Sequence, residues 1–169
     1  MLLQLSQLIG RGVVALSSRQ VIGRIKEPLF DPTNGRLLAL AVHPRGWFAK
    51  QQLLAASDIL GVEPGFIVIG KTDDLVDPKD LLRAHEVMIG KIRVLGATAR
   101  TESGARLGDI FDLLVETEAW QITKYYVRHL LSERIFLAED VQSITKQGVI
   151  FFDRVISGGT VSEAETAVV

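Results

Sequence analysis

The residues whose types and spacing could do chemistry fall in a few short stretches. Gly65-Phe66-Ile67-Val68-Ile69-Gly70-Lys71-Thr72 spells the phosphate-loop pattern G-x-x-x-x-G-K-[ST]. A phosphate cradle needs a curled loop with inward N–H groups and a helix that starts at the lysine. Here the four middle residues are Phe, Ile, Val and Ile, which are stiff strand formers. Asp73 and Asp74 then put negative charge where phosphates would sit. The stretch therefore reads as a strand. Asp73, Asp74, Asp77 and Asp80 could suggest a hard-cation loop, but such a loop needs alternating ligands around a central glycine, and this segment has Pro78 instead. Asp77 suits a helix cap better. His43, His85 and His129 form no H-x-x-x-H spacing, and no serine lies in a G-x-S-x-G context. With no cysteine, thiolate metal sites, disulfides and cysteine nucleophiles are excluded. The reading assigns no catalytic, cofactor-binding or metal residue, and the chain is expected not to be an enzyme.

The elements that would position such residues are more informative. Val21-Ile22-Gly23-Arg24-Ile25, then Leu29-Phe30-Asp31-Pro32-Thr33-Asn34-Gly35-Arg36, then Leu37 to Val42 read as strand, turn, strand. The same pattern returns when residue 22 is set on residue 107. Gly23 then meets Gly108, Ile25 meets Ile110, Asp31 meets Glu116, Leu40 meets Tyr125 and Val42 meets Val127. Flanking pieces repeat in the same order. Leu8-Ile9-Gly10-Arg11 matches Met88-Ile89-Gly90-Lys91, Leu54 to Ile59 matches Phe136 to Val141, and Gly65 to Val68 matches Gly148 to Phe151. The chain reads as a duplication with a period of about 80 residues. Asp31 and Glu116, each just before a turn, read as turn formers.

Taken in order, residues 1–76 are expected to be the first domain, with Leu2, Leu3 and Leu5 covering apolar surface and a first strand from Leu8 to Val14. Residues 77–86 are expected to be a linker helix, capped by Asp77 with Pro78 at its first position. Residues 87–156 make the second domain, whose first turn, Gly96 to Gly104, reads as longer. Residues 157–169 read as a disordered tail. The fold class is all-β with a short linker helix. At 47% hydrophobic and 23% charged, the 169 residues suit a folded chain. A net charge of −1 gives no general pull towards nucleic acid, which is not expected as a partner. No apolar run reaches the ~18–20 residues of a membrane helix, and Met1 to Gln7 make a poor signal peptide, so a cytoplasmic protein without membrane insertion is expected.

This order of pieces (Ile-Gly-x-Ile, an acid before a turn, an apolar strand, a closing apolar-acidic-Val segment) resembles the PRC-barrel family. The resemblance covers roughly residues 5–155. It implies a small, strongly bent β-barrel in each half and a role in binding other proteins. The family includes the cytoplasmic part of the photosynthetic reaction-centre H subunit and the C-terminal domain of ribosome-maturation factors. The H subunit has a membrane anchor, and the ribosome factors join one such barrel to a different one. A tandem PRC-barrel is the nearer description. The expected function is a non-catalytic adaptor or scaffold for a protein partner, with a homodimer among the candidates. The alternatives are a ribosome-associated or RNA-processing assembly factor and a small-molecule-binding or enzymatic barrel.

Five residues stand out as interface candidates: Leu37, Ala39, Ala41, Trp47 and Phe48. Strict alternation puts Leu37, Ala39 and Ala41 on one strand face and Leu38, Leu40 and Val42 on the other. A strand apolar on both faces is usually covered on both. The first face is therefore expected to pack against the second barrel or a second subunit. Trp47-Phe48 follows His43-Pro44-Arg45-Gly46 in a turn, where it reads as a lid on the barrel in preference to a partner contact.

Overall fold

Short apolar runs divided by turn residues form two mixed sheets of seven strands each. The computed structural model describes residues 1–157, and the tail from 158 onwards lies outside them. In order, the strands are β1 (Leu2–Gln4), β2 (Gly12–Ala15), β3 (Gln20–Phe30), β4 (Leu37–Pro44), β5 (Gln52–Ala55), β6 (Ile59–Glu63), β7 (Phe66–Ile69) and β8 (Leu75–Val76). Helix α1 (Leu82–Ile89) follows. Then come β9 (Thr98–Thr101), β10 (Arg106–Glu116), β11 (Gln121–His129), β12 (Ser132–Leu137), β13 (Val141–Thr145), β14 (Gly148–Phe151) and helix α2 (Arg154–Ser157). The described residues are mostly strand, as expected for the all-β class.

The two sheets pair in one pattern. β2, β3, β4 and β5 form an antiparallel series, and β7 returns parallel to β2 and antiparallel to β6. β9 to β12 form the same series, with β14 parallel to β9 and antiparallel to β13. β8 adds to β5, and β1 adds to β10. The bulges also coincide. In the first sheet the register passes over Ile22, Lys26, Leu38 and Leu60; in the second it passes over Leu107, Phe111, Thr123 and Gln142. Each bulge bends its strand and sharpens the local twist. Gly23 and Gly108 sit at matching bends. A Cβ on Gly23 would lie 2.9 Å from the His43 carbonyl oxygen, and one on Gly108 would overlap that of Arg128.

One core runs through both sheets, from Leu5, Leu8, Phe30, Leu37 and Leu40 to Leu113, Trp120, Ile122 and Tyr125. The ring of Phe151 packs edge-on to Tyr125 at 5.5 Å and tilted against Phe136 at 5.0 Å. The segments leading into the sheets cross over. Residues 1–8 precede the first sheet yet lie on the second: Leu2, Leu3 and Gln4 pair with Glu116, Val115 and Leu114. Buried Asp112 fixes the crossing. Its Oδ1 accepts from the Ser6 N–H at 2.9 Å and its Oδ2 from the Ser6 hydroxyl at 2.6 Å. In return α1, which precedes the second sheet, lies on the first. Ala84 and Val87, with Leu81 and Met88, cover Leu29, Ala39, Ala41 and Leu53.

Several details differ from the sequence reading. The strand expected from Leu8 to Val14 starts instead at Gly12, as β2, because Leu8 is drawn into the core at a turn and Gly10 has φ +82°. Gly10 N–H donates to Ile25 O and Ile25 N–H to Arg11 O; the same two bonds recur as Gly96 to Ile110 and Ile110 to Ala97. The place of Gly10 is thus filled by Gly96, not Gly90. Met88-Ile89 ends α1 instead, since the helical spacing of Leu81, Ala84, Val87 and Met88 lets them cover one sheet face together. Asp77 caps as expected, its Oδ1 accepting from the Lys79 N–H, but over a 3₁₀ turn, Pro78–Asp80. The long turn expected at Gly96–Gly104 holds β9, with Ala99 and Thr101 buried. Gly148 opens β14 opposite Thr145, as Phe66 opens β7 opposite Glu63, so it does not match Gly65. Leu3 and Leu5 are buried, while Leu2 is exposed.

The bulge at Leu38 also corrects the face assignment. Leu37 pairs with Phe30 and Ala39 with Leu29, so Leu38 is passed over. Leu37, Leu40 and Val42 then join the main core, and Leu38, Ala39 and Ala41 meet the helix side. Within this chain the cover over Ala39 and Ala41 is α1, not the second sheet. Their small side chains let the helix approach closely. Ala39→Glu is expected to place a charge under α1 and cost on the order of several kcal/mol. Thermal denaturation should show a large drop in melting temperature, and an unchanged value would mean that α1 does not cover this face.

Candidate functional site

The polar residues that looked chemically capable are mostly engaged in building turns. Asp31 Oδ1 accepts from the Thr33 N–H at 2.9 Å and the Thr33 hydroxyl at 2.6 Å, and it pairs with the Arg83 guanidinium of α1 at 3.0 Å. The Arg83 hydrogen bond, helped by those of Thr33 against some burial, holds the Asp31 carboxyl down at about 2. Glu116 occupies the matching turn. Its carboxylate accepts from the Glu118 N–H at 2.8 Å and the Ala119 N–H at 2.9 Å, which hold its pKa low, and it meets the Met1 ammonium at 3.3 Å. Each acid thus shapes its own turn and also clamps the segment that crosses from the opposite side.

The phosphate-loop pattern is extended backbone. Phe66–Ile69 is β7, bonded on both sides, with Ile67 and Ile69 fully buried. Lys71 heads a 3₁₀ turn, and its N–H donates to Asp74 Oδ2 at 2.9 Å. His85 lies in α1, and His43 and His129 lie near the ends of β4 and β11. No group of three or more metal-capable side chains occurs among the described residues. No helix among them is long and apolar enough to cross a membrane.

Of the five interface candidates, Leu37, Ala39 and Ala41 are buried inside the chain, while Trp47 and Phe48 stand in solvent at 93% and 90% exposure. They do not form one surface, and the tip aromatics are not a lid. The same hairpin of the second sheet, between β11 and β12, carries Leu130 and Leu131 at 85% and 103% exposure. The sequence reading passed over that pair. Its only signal was two adjacent leucines ahead of Ser132-Glu133, in the place of the first loop.

Behind the first tip, Val21, Arg24, His43 and Arg45 help line an open cleft of about 450 Å³. Arg24 and His43 are cross-strand partners. The arginines reach only carbonyl oxygens: Arg24 Nη1 donates to Gly10 O at 3.0 Å, and Arg45 Nη1 to Val21 O at 3.5 Å. The matching partners on the second sheet are Asp109 and Arg128, and both are neutralised. Asp109 pairs with Arg106 at 2.9 Å; Arg128 pairs with Glu133 at 2.7 Å and lies over the Phe111 ring at 4.2 Å. Neither the family models nor the curated proteins compared with this chain give a match.

The Asp31–Arg83 clamp has a defined pH signature. A carboxyl held at about 2 instead of its ordinary 3.8 stabilises the folded chain above that ordinary value, and the contribution fades as pH falls from about 4 to about 2. Arg83→Ala should move the Asp31 carboxyl up towards 3.8, read by carboxyl-carbon NMR titration. A midpoint that stayed near 2 would assign the whole shift to Thr33.

Proposed function

We propose that the chain is a non-catalytic, protein-binding adaptor made of two small PRC-type barrels that arose by duplication. The duplication is supported by the shared pairing pattern and the four coincident bulges, because bulge positions are individually arbitrary and collectively specific. Strong bending at those bulges favours closure of each sheet on itself. The non-catalytic reading draws on the acids: Asp31, Asp112 and Glu116 are all committed to backbone, hydroxyl or cation partners that hold the fold.

The observation that carries the binding function is the pair of hairpin tips. Trp47-Phe48 and Leu130-Leu131 put large apolar side chains into water in the corresponding hairpin loops of the two sheets. Neither pair stabilises the chain by being exposed, and exposed aromatic pairs are the side chains that anchor protein contacts. The partner on this reading is a protein of the cytoplasm.

Affinity purification of the tagged chain from its native cell, read by mass spectrometry, is expected to recover a stoichiometric protein partner. A Trp47→Ser/Phe48→Ser variant should lose it while melting as the wild type does. Recovery of ribosomal particles through RNA, or of no partner at all, would contradict the adaptor reading.

A further inference from the structure

The first hairpin tip and the cleft behind it form an asymmetric feature on an otherwise repeated frame. Arg24 and Arg45 each have five N–H donors, and the bonds described above leave most of them free. Among the described residues neither makes an ion pair. His43 adds an imidazole with its own ring nitrogen for hydrogen bonding at the same place. The frame does not require this, because at the matching strand positions the second sheet carries Asp109 and Arg128, each with an opposite charge of its own. Apolar surface adjoins the cations. Trp47 and Phe48 follow Arg45 closely in the chain, and Val21, 39% exposed, lies beside Phe66, 37% exposed, across Gly12.

We propose that this cleft docks an acidic segment of a protein partner that also carries an apolar anchor. The carboxylates meet Arg24 and Arg45, and the anchor meets Trp47 and Phe48. The proposal rests on the adaptor reading and specifies where on the chain the partner sits and what it presents. Guanidinium groups pair with carboxylates in a planar, two-pronged geometry that fixes orientation. Adjacent aromatics supply the desolvated contact that such charge pairs alone lack. A cleft of about 450 Å³ falls in the range that holds a few side chains. A nucleic-acid track would need cations continued along a groove, and a lipid surface would meet the projecting tip but leave the recessed cleft unfilled.

The test is selection of random displayed peptides, about twelve residues long, on the full chain. Sequences rich in Asp and Glu with at least one Leu, Ile, Phe or Trp are expected. Trp47 is exposed and Trp120 is buried, so binding should shift the tryptophan emission to the blue through Trp47. Arg24→Glu/Arg45→Glu should weaken the selected peptides by about tenfold or more. Raising salt from about 50 mM to about 500 mM should weaken them in the wild type only. Both arginines are exposed, so the variant should melt as the wild type does.

Three results would overturn the proposal: no acidic enrichment, equal binding by the charge-reversed variant, or a blue shift with phosphatidylserine vesicles and none with peptides. The native partner separates this proposal from the adaptor reading. A partner retained by Arg24→Glu/Arg45→Glu would leave the adaptor standing and remove this docking groove. A wild-type chain that retains no partner removes both.

Discussion

The constraint on which the rest of the structure depends is a short reciprocal junction between the two central hairpins. The Leu37 N–H donates to Trp120 O at 2.8 Å, and the Ile122 N–H to Gly35 O at 3.2 Å, around the bridge between Arg36 and Gln121. The side chains repeat the exchange: Gln121 Nε2 donates to Asn34 O at 2.8 Å and Arg36 Nε to Ala119 O at 3.4 Å. Every partner in this set is the residue that corresponds to its counterpart when 22 is set on 107. The junction therefore has the logic of a two-fold contact made within one chain. Gly35 and Trp120 hold matching positive φ values, 71° and 51°, which aim the strand starts at each other.

That junction sets the starts of β4 and β11 antiparallel to each other, and the crossing segments reinforce it. Residues 1–8 and α1 each seal the sheet that they do not lead into, and each is tied to a turn acid, Glu116 in one case and Asp31 in the other. These ion pairs are open to solvent and screened by it, so they orient more than they stabilise. Stability comes from the shared core, in which Leu5 and Leu8 of the crossing segment are as fully buried as Leu40 of the first sheet and Leu113 of the second. Half of such a core would leave apolar surface open on either side.

Much of this was legible in the sequence, and the failures have separate physical causes. The hairpins, the turn acids and the frame placing 22 on 107 follow from alternation and turn chemistry, and the strand pairing repeats on that frame. Bulges do not show in a hydrophobic pattern. One passed-over residue, Leu38, moves a side chain to the other face, which is why Leu37 was grouped with Ala39 and Ala41. The meaning of Ala39 and Ala41 was half legible: two alanines on an apolar strand announce close packing, but not that the cover is the nearby helix. Met88-Ile89-Gly90 matches Leu8-Ile9-Gly10 by residue type alone, because a short apolar run fits either period and only the sheet face beneath it decides. The basic cleft was invisible, because Arg24 and Arg45 are distant in sequence and ordinary in kind. What distinguishes them is the comparison with the second sheet, where Asp109 and Arg128 at the matching strand positions are each paired with an opposite charge.

The central claim is that the two sheets form one body through their junction and exchanged segments. Native-state hydrogen exchange under increasing denaturant tests it most directly. The amides of β3 and β4 should lose protection together with those of β10 and β11, at one free energy. Loss of protection in two separate steps, one for each sheet, would contradict the account.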